Sequence, residues 1–155
     1  MKKQRIVAVA LVSLLLVGTF IIGWQTKAIN ALAANASYQA ICHIAALTKL
    51  TQERTPATPL LEHLLYGDMV NVARIKNSPE WRQCVFINPR VRKQMDEAVN
   101  RYIHWREMVG TNLSLPHMIP MDIEGDPQQI EAANRIYEDG NRLIEQMIKD
   151  TQQAN

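Results

Sequence analysis

The chain has 155 residues, of which 47% are hydrophobic and 21% are charged, and its formal net charge is +2. Four of its basic residues lie within the first 27 positions, and the rest of the chain carries 13 basic and 15 acidic residues. A nucleic-acid-binding domain needs a basic face, so this near-neutral balance argues against nucleic acid as a partner.

The N-terminus predicts a transmembrane helix. Residues 1–5 form a basic head, and an uncharged, mainly apolar run of 19 residues, 6–24, follows and ends at Trp24. As a helix this run is about 28 Å long, close to the roughly 30 Å hydrocarbon core of a bilayer. The positive-inside rule keeps the basic head in the cytoplasm and exports residues 25–155. We therefore expect a signal-anchor in the cell inner membrane, crossing once, with a periplasmic C-terminal domain.

A cleaved signal peptide is the alternative interpretation. Ala31-Leu32-Ala33 fits an A-x-A cleavage site, and cleavage there would release a secreted or periplasmic protein that begins at Ala34. The apolar part of a signal peptide is usually about 7–15 residues long, and the run here is longer. The length therefore favours the uncleaved anchor.

Polar residues followed by proline mark four helix starts in the exported part. The polar side chain accepts an early backbone N–H, and a proline at the first helical position loses no hydrogen bond. The four pairs are Thr58-Pro59, Ser78-Pro79, Asn88-Pro89 and Asp126-Pro127.

Apolar residues at helical spacing also indicate an all-α fold. They recur every three or four positions in three stripes, which are Ile29, Ala33, Ala36, Ala40, Ile44 and Leu47; Val91, Met95, Ala98, Tyr102, Trp105 and Val109; and Ile130, Ala133, Tyr137, Gly140, Ile144 and Met147. The first stripe predicts that the membrane helix continues into the exported domain. Residues 25–155 are therefore predicted to form one all-α domain, a small helical bundle.

Two glycines carry more specific expectations. A helix from Pro59 to about Lys76 is expected to break at Gly67-Asp68, with Asp68 capping a second piece. Gly140 lies on the third apolar stripe, where the absence of a side chain permits a close helix crossing. The alternative is a weak point in the helix, which costs about 1 kcal/mol relative to alanine.

The two cysteines, Cys42 and Cys84, predict a disulfide if the domain is exported, because the periplasm is oxidising. The alternative is a pair of buried free thiols. They are not a C-x-x-C pair, which argues against a thioredoxin-like redox motif.

A metal site has one candidate in the long loop 111–126. Thioether and imidazole groups suit copper(I), and His117, Met118 and Met121 lie close together in the sequence. Filling of a hydrophobic gap is the simpler explanation for such a group. His104 and Glu107 are three residues apart on one helix, where a solvated polar face explains them better than a metal site. No cofactor is predicted.

No catalytic residue is predicted, since nucleophile, zinc-protease and phosphate-loop motifs are absent from the sequence. Arginine and aromatic residues anchor protein interfaces, which makes Trp81 and Arg82 interaction candidates. His117 and Glu124 are further candidates because they lie in the long loop, and loops on rigid scaffolds often carry function. A core corner is the competing explanation for the segment around Trp81.

The expected function is binding of another envelope protein, as an accessory, inhibitor or assembly factor. Two alternatives remain: a small periplasmic enzyme that acts on the cell wall, and a periplasmic protein that handles copper.

Overall fold

The computed structural model describes residues 2–53, 59–83, 86–109 and 127–154. Within these ranges the chain forms five α-helices and no strand. The helices are α1 (Lys2–Gln52), α2 (Pro59–Asn77), α3 (Pro79–Gln83), α4 (Pro89–Val109) and α5 (Pro127–Ala154). The predicted all-α class is confirmed.

Every described helix after α1 begins at one of the four predicted prolines. The two described caps also act as expected. The Ser78 hydroxyl accepts a hydrogen bond from the backbone N–H of Trp81 at 3.1 Å, and the side-chain oxygen of Asn88 accepts one from the backbone N–H of Arg90 at 2.9 Å. The other two caps, Thr58 and Asp126, lie outside the described residues.

Helix α1 belongs to two environments. It is 51 residues long, which corresponds to about 76 Å, and it is long and apolar enough to cross a membrane by length and composition. Its apolar side chains between Leu11 and Trp24 are mostly exposed; Phe20, for example, is 71% exposed. Further along, the first predicted stripe is buried in the domain core, with Ala33, Ala36, Ala40, Ile44 and Leu47 each at most 6% exposed. The expectation that one helix continues from the apolar run into the domain is confirmed.

The second half of α1 and three further helices form an up-and-down bundle. Contact between His43 and Asp68, together with a groove shared by Ile29 and Arg74, shows that α2 runs antiparallel to α1. Helix α4 returns parallel to α1, and α5 returns parallel to α2. We call the end where α2 stops and α4 begins the basal end, because α1 continues from it into the apolar run.

The side chain of Asn30 holds the basal end together. Its amide nitrogen donates to the backbone oxygen of Thr26 at 2.8 Å and lies 3.5 Å from that of Phe86. Its oxygen accepts the backbone N–H of Asn88 at 2.9 Å. One turn further along α1, the amide of Gln94 donates to the backbone oxygen of Ala34 at 3.2 Å. The start of α4 is therefore fixed on α1 by side-chain hydrogen bonds as well as by apolar packing.

The core confirms the predicted stripe of α4 in its middle part and that of α5 in its second half, whereas Ala133 and Tyr137 are only partly buried. Ile130 lies outside the residues whose side chains are described. From α4 it contains Met95, Ala98, Tyr102 and Trp105, and from α5 it contains Ile144 and Met147. Helix α2 adds Leu65, Met69, Val72 and Ala73, all at most 2% exposed.

The predicted break in α2 is wrong. The helix runs without interruption from Pro59 to Asn77, and Asp68 does not cap a second piece. Its carboxylate instead contacts the imidazole of His43 on α1, with Nδ1 and Oδ2 2.5 Å apart. Asp68 therefore has its hydrogen-bond partner, His43, 25 positions away in the chain, although the sequence next to Asp68 favours a helix start.

Gly140 lies where α5 crosses α2 closely, as the sequence predicted. A Cβ placed on it would lie 2.3 Å from the hydroxyl of Tyr66 and 3.0 Å from Cγ2 of Val70. That hydroxyl donates to the backbone oxygen of Tyr137 at 3.0 Å, and the two tyrosine rings stack with centroids 5.2 Å apart. Glycine therefore permits the crossing and keeps the tyrosine hydrogen bond.

The close crossing predicts opposite effects for alanine at two helical glycines. Gly140→Ala must displace the Tyr66 hydroxyl and Val70, and overpacking of this kind costs about 1–3 kcal/mol. Gly67→Ala is the matched control, because nothing lies within 4 Å of a Cβ placed there, and it should stabilise the domain by about 0.5–1 kcal/mol. Thermal unfolding in a mild detergent measures both. Tyr66→Phe should reduce the cost of Gly140→Ala, and equal stability of the two alanine variants would contradict the crossing.

Candidate functional site

The basal end carries a cleft of about 520 Å³ between α2, α3, α4 and α5, which we call the basal cleft. Its walls come from the last turn of α2 with Lys76, from α3 with Trp81 and Arg82, and from α5 with Asp150. Helix α4 contributes residues at steps of four, Arg92, Asp96 and Asn100, which lie on one face of the helix. The Ser78 cap turns the chain directly after α2 and so places Trp81 at this position.

Two of the cations of the cleft are neutralised by carboxylates. Nζ of Lys76 lies 2.7 Å from Oδ1 of Asp96. The guanidinium of Arg82 donates to the side-chain oxygen of Asn77 at 2.9 Å and lies 3.9 Å from Oδ2 of Asp150. These pairs join α2 to α4 and α3 to α5, and they leave the cleft with little free charge from these four groups.

Arg92 is the exception. Its guanidinium carbon lies 5.8 Å from the centroid of the Trp81 ring, and within the described ranges no carboxylate pairs with it. The side chain of Arg92 is exposed, so its donors face the open cleft. An arginine stacked on an aromatic face keeps its planar fork available for a carboxylate or another planar anion.

The interaction candidates from the sequence fall into two groups. Trp81 and Arg82 both line the basal cleft. Trp81 is only 6% exposed, so it forms the floor of the cleft and part of the core, whereas Arg82 is exposed. The other two candidates, His117 and Glu124, lie outside the described residues, and their interaction role stays a prediction.

The metal candidates from the sequence also fall into two groups. His117, Met118 and Met121 also lie outside the described residues, so the copper hypothesis stays untested. In the part of the chain that the structure describes, no group of three or more His, Cys, Asp or Glu residues is placed to hold a metal ion. His104 and Glu107 are both well exposed, with Nδ1 and Oε2 3.9 Å apart, as expected of a solvated helix face.

The cysteine prediction also stays open. Cys42 lies exposed on α1, which disagrees with the alternative of a buried thiol at this position. Cys84 lies outside the described residues, so the disulfide stays a prediction.

His43 and Asp68 form a partly buried polar contact between α1 and α2. The side chains are 26% and 11% exposed, respectively. Burial raises the pKa of the Asp68 carboxyl above its ordinary value, while the hydrogen bond and charge of His43 act in the opposite direction. Neither residue lines the basal cleft, so the pair joins α1 to α2 and takes no part in that site.

Sequence reasoning missed Lys76, Arg92, Asp96 and Asp150. The spacing of Arg92 and Asp96 marks a polar face of α4, but a polar face is ordinarily only solvated. These residues form a site only because three other helices pack around that face of α4. No local sequence pattern predicts this packing.

Comparison with protein-family models, curated proteins and solved structures gives no match for this chain.

The buried carboxyl predicts how stability depends on pH. The folded state binds the Asp68 proton more tightly than the unfolded state does, because the folded pKa is raised. The contribution of this group to stability is therefore largest below the ordinary pKa of 3.8 and falls as pH rises through the higher folded value.

Thermal unfolding of the wild type and of Asp68→Asn between about pH 4 and pH 6 tests this expectation. The wild type should lose stability relative to the variant as pH rises. Glu138→Gln, which alters an exposed carboxyl on α5, controls for the loss of one acidic group. A wild type that gains stability relative to Asp68→Asn as pH rises would contradict the assigned direction.

Proposed function

We propose that this protein is a single-pass inner-membrane protein whose periplasmic helical domain binds an acidic segment of another envelope protein in the basal cleft. The observation that carries the proposal is Arg92, a cation stacked on Trp81 in a cleft where Lys76 and Arg82 already have carboxylate partners. A partner carboxylate is the group that completes this arrangement.

The membrane part of the proposal draws support from the basal end. Cleavage after Ala33 would remove Asn30 and with it the hydrogen bonds to Phe86 and Asn88. It would also remove Ala33, which is fully buried in the core. The bundle therefore uses residues that a cleaved signal peptide would discard, and this favours the uncleaved anchor.

The composition of the cleft favours a protein segment as its ligand. Tryptophan and arginine dominate the binding energy of protein interfaces, because both combine large apolar contact with directed hydrogen bonds. The arginine fork also binds a carboxylate through two parallel hydrogen bonds. The paired cations on either side give the rim the polar character that surrounds such anchors.

The position of the cleft favours a partner from the same membrane. Gln94, two residues after the cleft-lining Arg92 on α4, donates a hydrogen bond to the backbone oxygen of Ala34. Ala34 lies ten residues beyond Trp24, which is about 15 Å along α1. If the apolar run spans the bilayer, the cleft opens a short distance from the membrane surface, where the juxtamembrane segment of another envelope protein would reach it.

Site-specific photo-crosslinking in intact cells tests this proposal. A photoreactive residue at Asn100, inside the cleft, should give a discrete covalent adduct, and one at Gln39, on the outer face of α1, should not. Arg92→Glu should reduce the yield at Asn100 by about tenfold or more, because it removes a hot-spot cation and adds a repulsive charge. Arg90→Glu is the matched control, since Arg90 is also exposed at the start of α4 but does not line the cleft.

Two controls make the outcome decisive. The thermal unfolding temperature of Arg92→Glu must match that of Arg90→Glu, so that loss of the adduct reports on binding and not on folding. Mass spectrometry of the adduct should locate the crosslink near Asp or Glu residues of the partner. An adduct at Asn100 that survives Arg92→Glu unchanged would contradict the proposed role of the cleft.

A further inference from the structure

A second concave surface lies at the basal end, on the opposite side of α3. It is a groove of about 690 Å³ between α1 and the segment that joins α2 to α3, which we call the basal groove. Ile22, Ile29 and Leu32 form its apolar wall along α1. Its other wall carries two charged side chains, Arg74 and Glu80.

The apolar wall of the groove is continuous with the exposed run of α1. Ile22 is 54% exposed and belongs to that run, while Leu32 is 63% exposed and lies beyond it. If residues 6–24 span the hydrocarbon core, Gln25 to Ile29 rise through the next 7 Å or so. The headgroup region of one leaflet is about 5–8 Å thick, so this part of the groove lies at headgroup level.

The charged wall of the groove has one cation and one anion without ion-pair partners. Within the described ranges, Arg74 and Glu80 pair neither with each other nor with any other charged side chain. Both are exposed. The groove therefore presents an arginine and a carboxylate, separated and available, above an apolar strip that leads down into the bilayer.

We propose that the basal groove binds one phospholipid with a zwitterionic headgroup that contains a primary ammonium, such as phosphatidylethanolamine. The phosphate accepts hydrogen bonds from the Arg74 guanidinium, the ammonium donates to the Glu80 carboxylate, and the glycerol and upper acyl chain lie against Ile22 and Ile29. A headgroup with one phosphate and one ammonium complements one cation and one anion, and the acyl chain complements the apolar strip.

The chemistry separates this lipid from the other common headgroups. Phosphatidylglycerol offers the phosphate but no cation for Glu80. Phosphatidylcholine offers a cation, but its quaternary ammonium has no N–H to donate. Only a primary ammonium satisfies both charged side chains with hydrogen bonds. The inference rests on the proposed membrane crossing by α1, but it is independent of any partner in the basal cleft.

Native mass spectrometry of the full-length protein in a mild detergent tests the proposal. Phosphatidylethanolamine, phosphatidylcholine and phosphatidylglycerol with identical acyl chains are added in equal amounts. Wild-type protein should retain one molecule of phosphatidylethanolamine with about tenfold preference over each of the others, the effect of one charge-assisted hydrogen bond.

Two variants dissect the preference. Glu80→Gln should abolish discrimination between phosphatidylethanolamine and phosphatidylglycerol, and Arg74→Gln should weaken retention of all three lipids. The matched controls are Glu138→Gln on α5 and Arg90→Gln, which changes a basal cation outside the groove; both should keep the wild-type preference.

Three results would overturn the proposal. They are equal retention of the three lipids by the wild type, a preference that survives both groove variants, and a lipid-free protein that forms dimers through the groove. Carbonate washing of the membranes tests the membrane anchor separately from lipid binding in the groove. Protein that resists the wash but shows no lipid preference contradicts the groove alone, whereas protein released by the wash contradicts the anchor and the groove together.

Discussion

Helix α1 meets two different surroundings without a break, and the placement of the other helices follows from it. Its first part exposes large apolar side chains such as Phe20, and its second part buries a stripe of small ones, among them Ala36 and Ala40. Alanines on the buried face let α2 and α4 approach the helix axis closely, because they occupy little volume. A continuous helix between the two parts acts as a stiff connection, so the orientation of the bundle follows from that of the apolar run.

This rigidity gives the basal end its importance. Asn30 ties the chain before α4 to α1, and Ser78 caps the short helix that reverses the chain after α2. The two features place the basal cleft and the basal groove on either side of α3. In the basal cleft, Arg92 has no carboxylate partner among the described residues. In the basal groove, neither Arg74 nor Glu80 has an ion-pair partner among them. Other charged residues of the bundle, such as Lys76 and Arg106, have carboxylate partners on a neighbouring helix.

Much of the fold followed from local signals. A proline at the first helical position and helical spacing of apolar residues are properties of neighbouring residues, so the helix starts and the buried stripes were predictable. Gly140 was recognisable because a glycine on an apolar stripe implies a close contact. The break expected at Gly67-Asp68 failed for the opposite reason: Asp68 is satisfied by His43 across the bundle, and the sequence near it contains no sign of that partner.

The candidate site was only partly predictable, again for a physical reason. Trp81 and Arg82 are adjacent in the sequence and were found together. Arg92 became significant only when the fold placed its guanidinium over the Trp81 ring and left it without a carboxylate. Pairing between charges on different helices depends on the relative positions of those helices, which a single sequence does not record.

Hydrogen–deuterium exchange of the full-length protein, isolated from membranes and kept in lipid nanodiscs, tests whether α1 is one uninterrupted helix. Backbone amides from Gln25 to Ala34 should then exchange as slowly as those from Ala40 to Leu47 in the core, because the same helix contains both segments. Rapid exchange confined to residues 25–34 would show that the anchor and the bundle are separate bodies joined by a flexible linker. Isolated protein that begins at Ala34 would contradict the anchor itself.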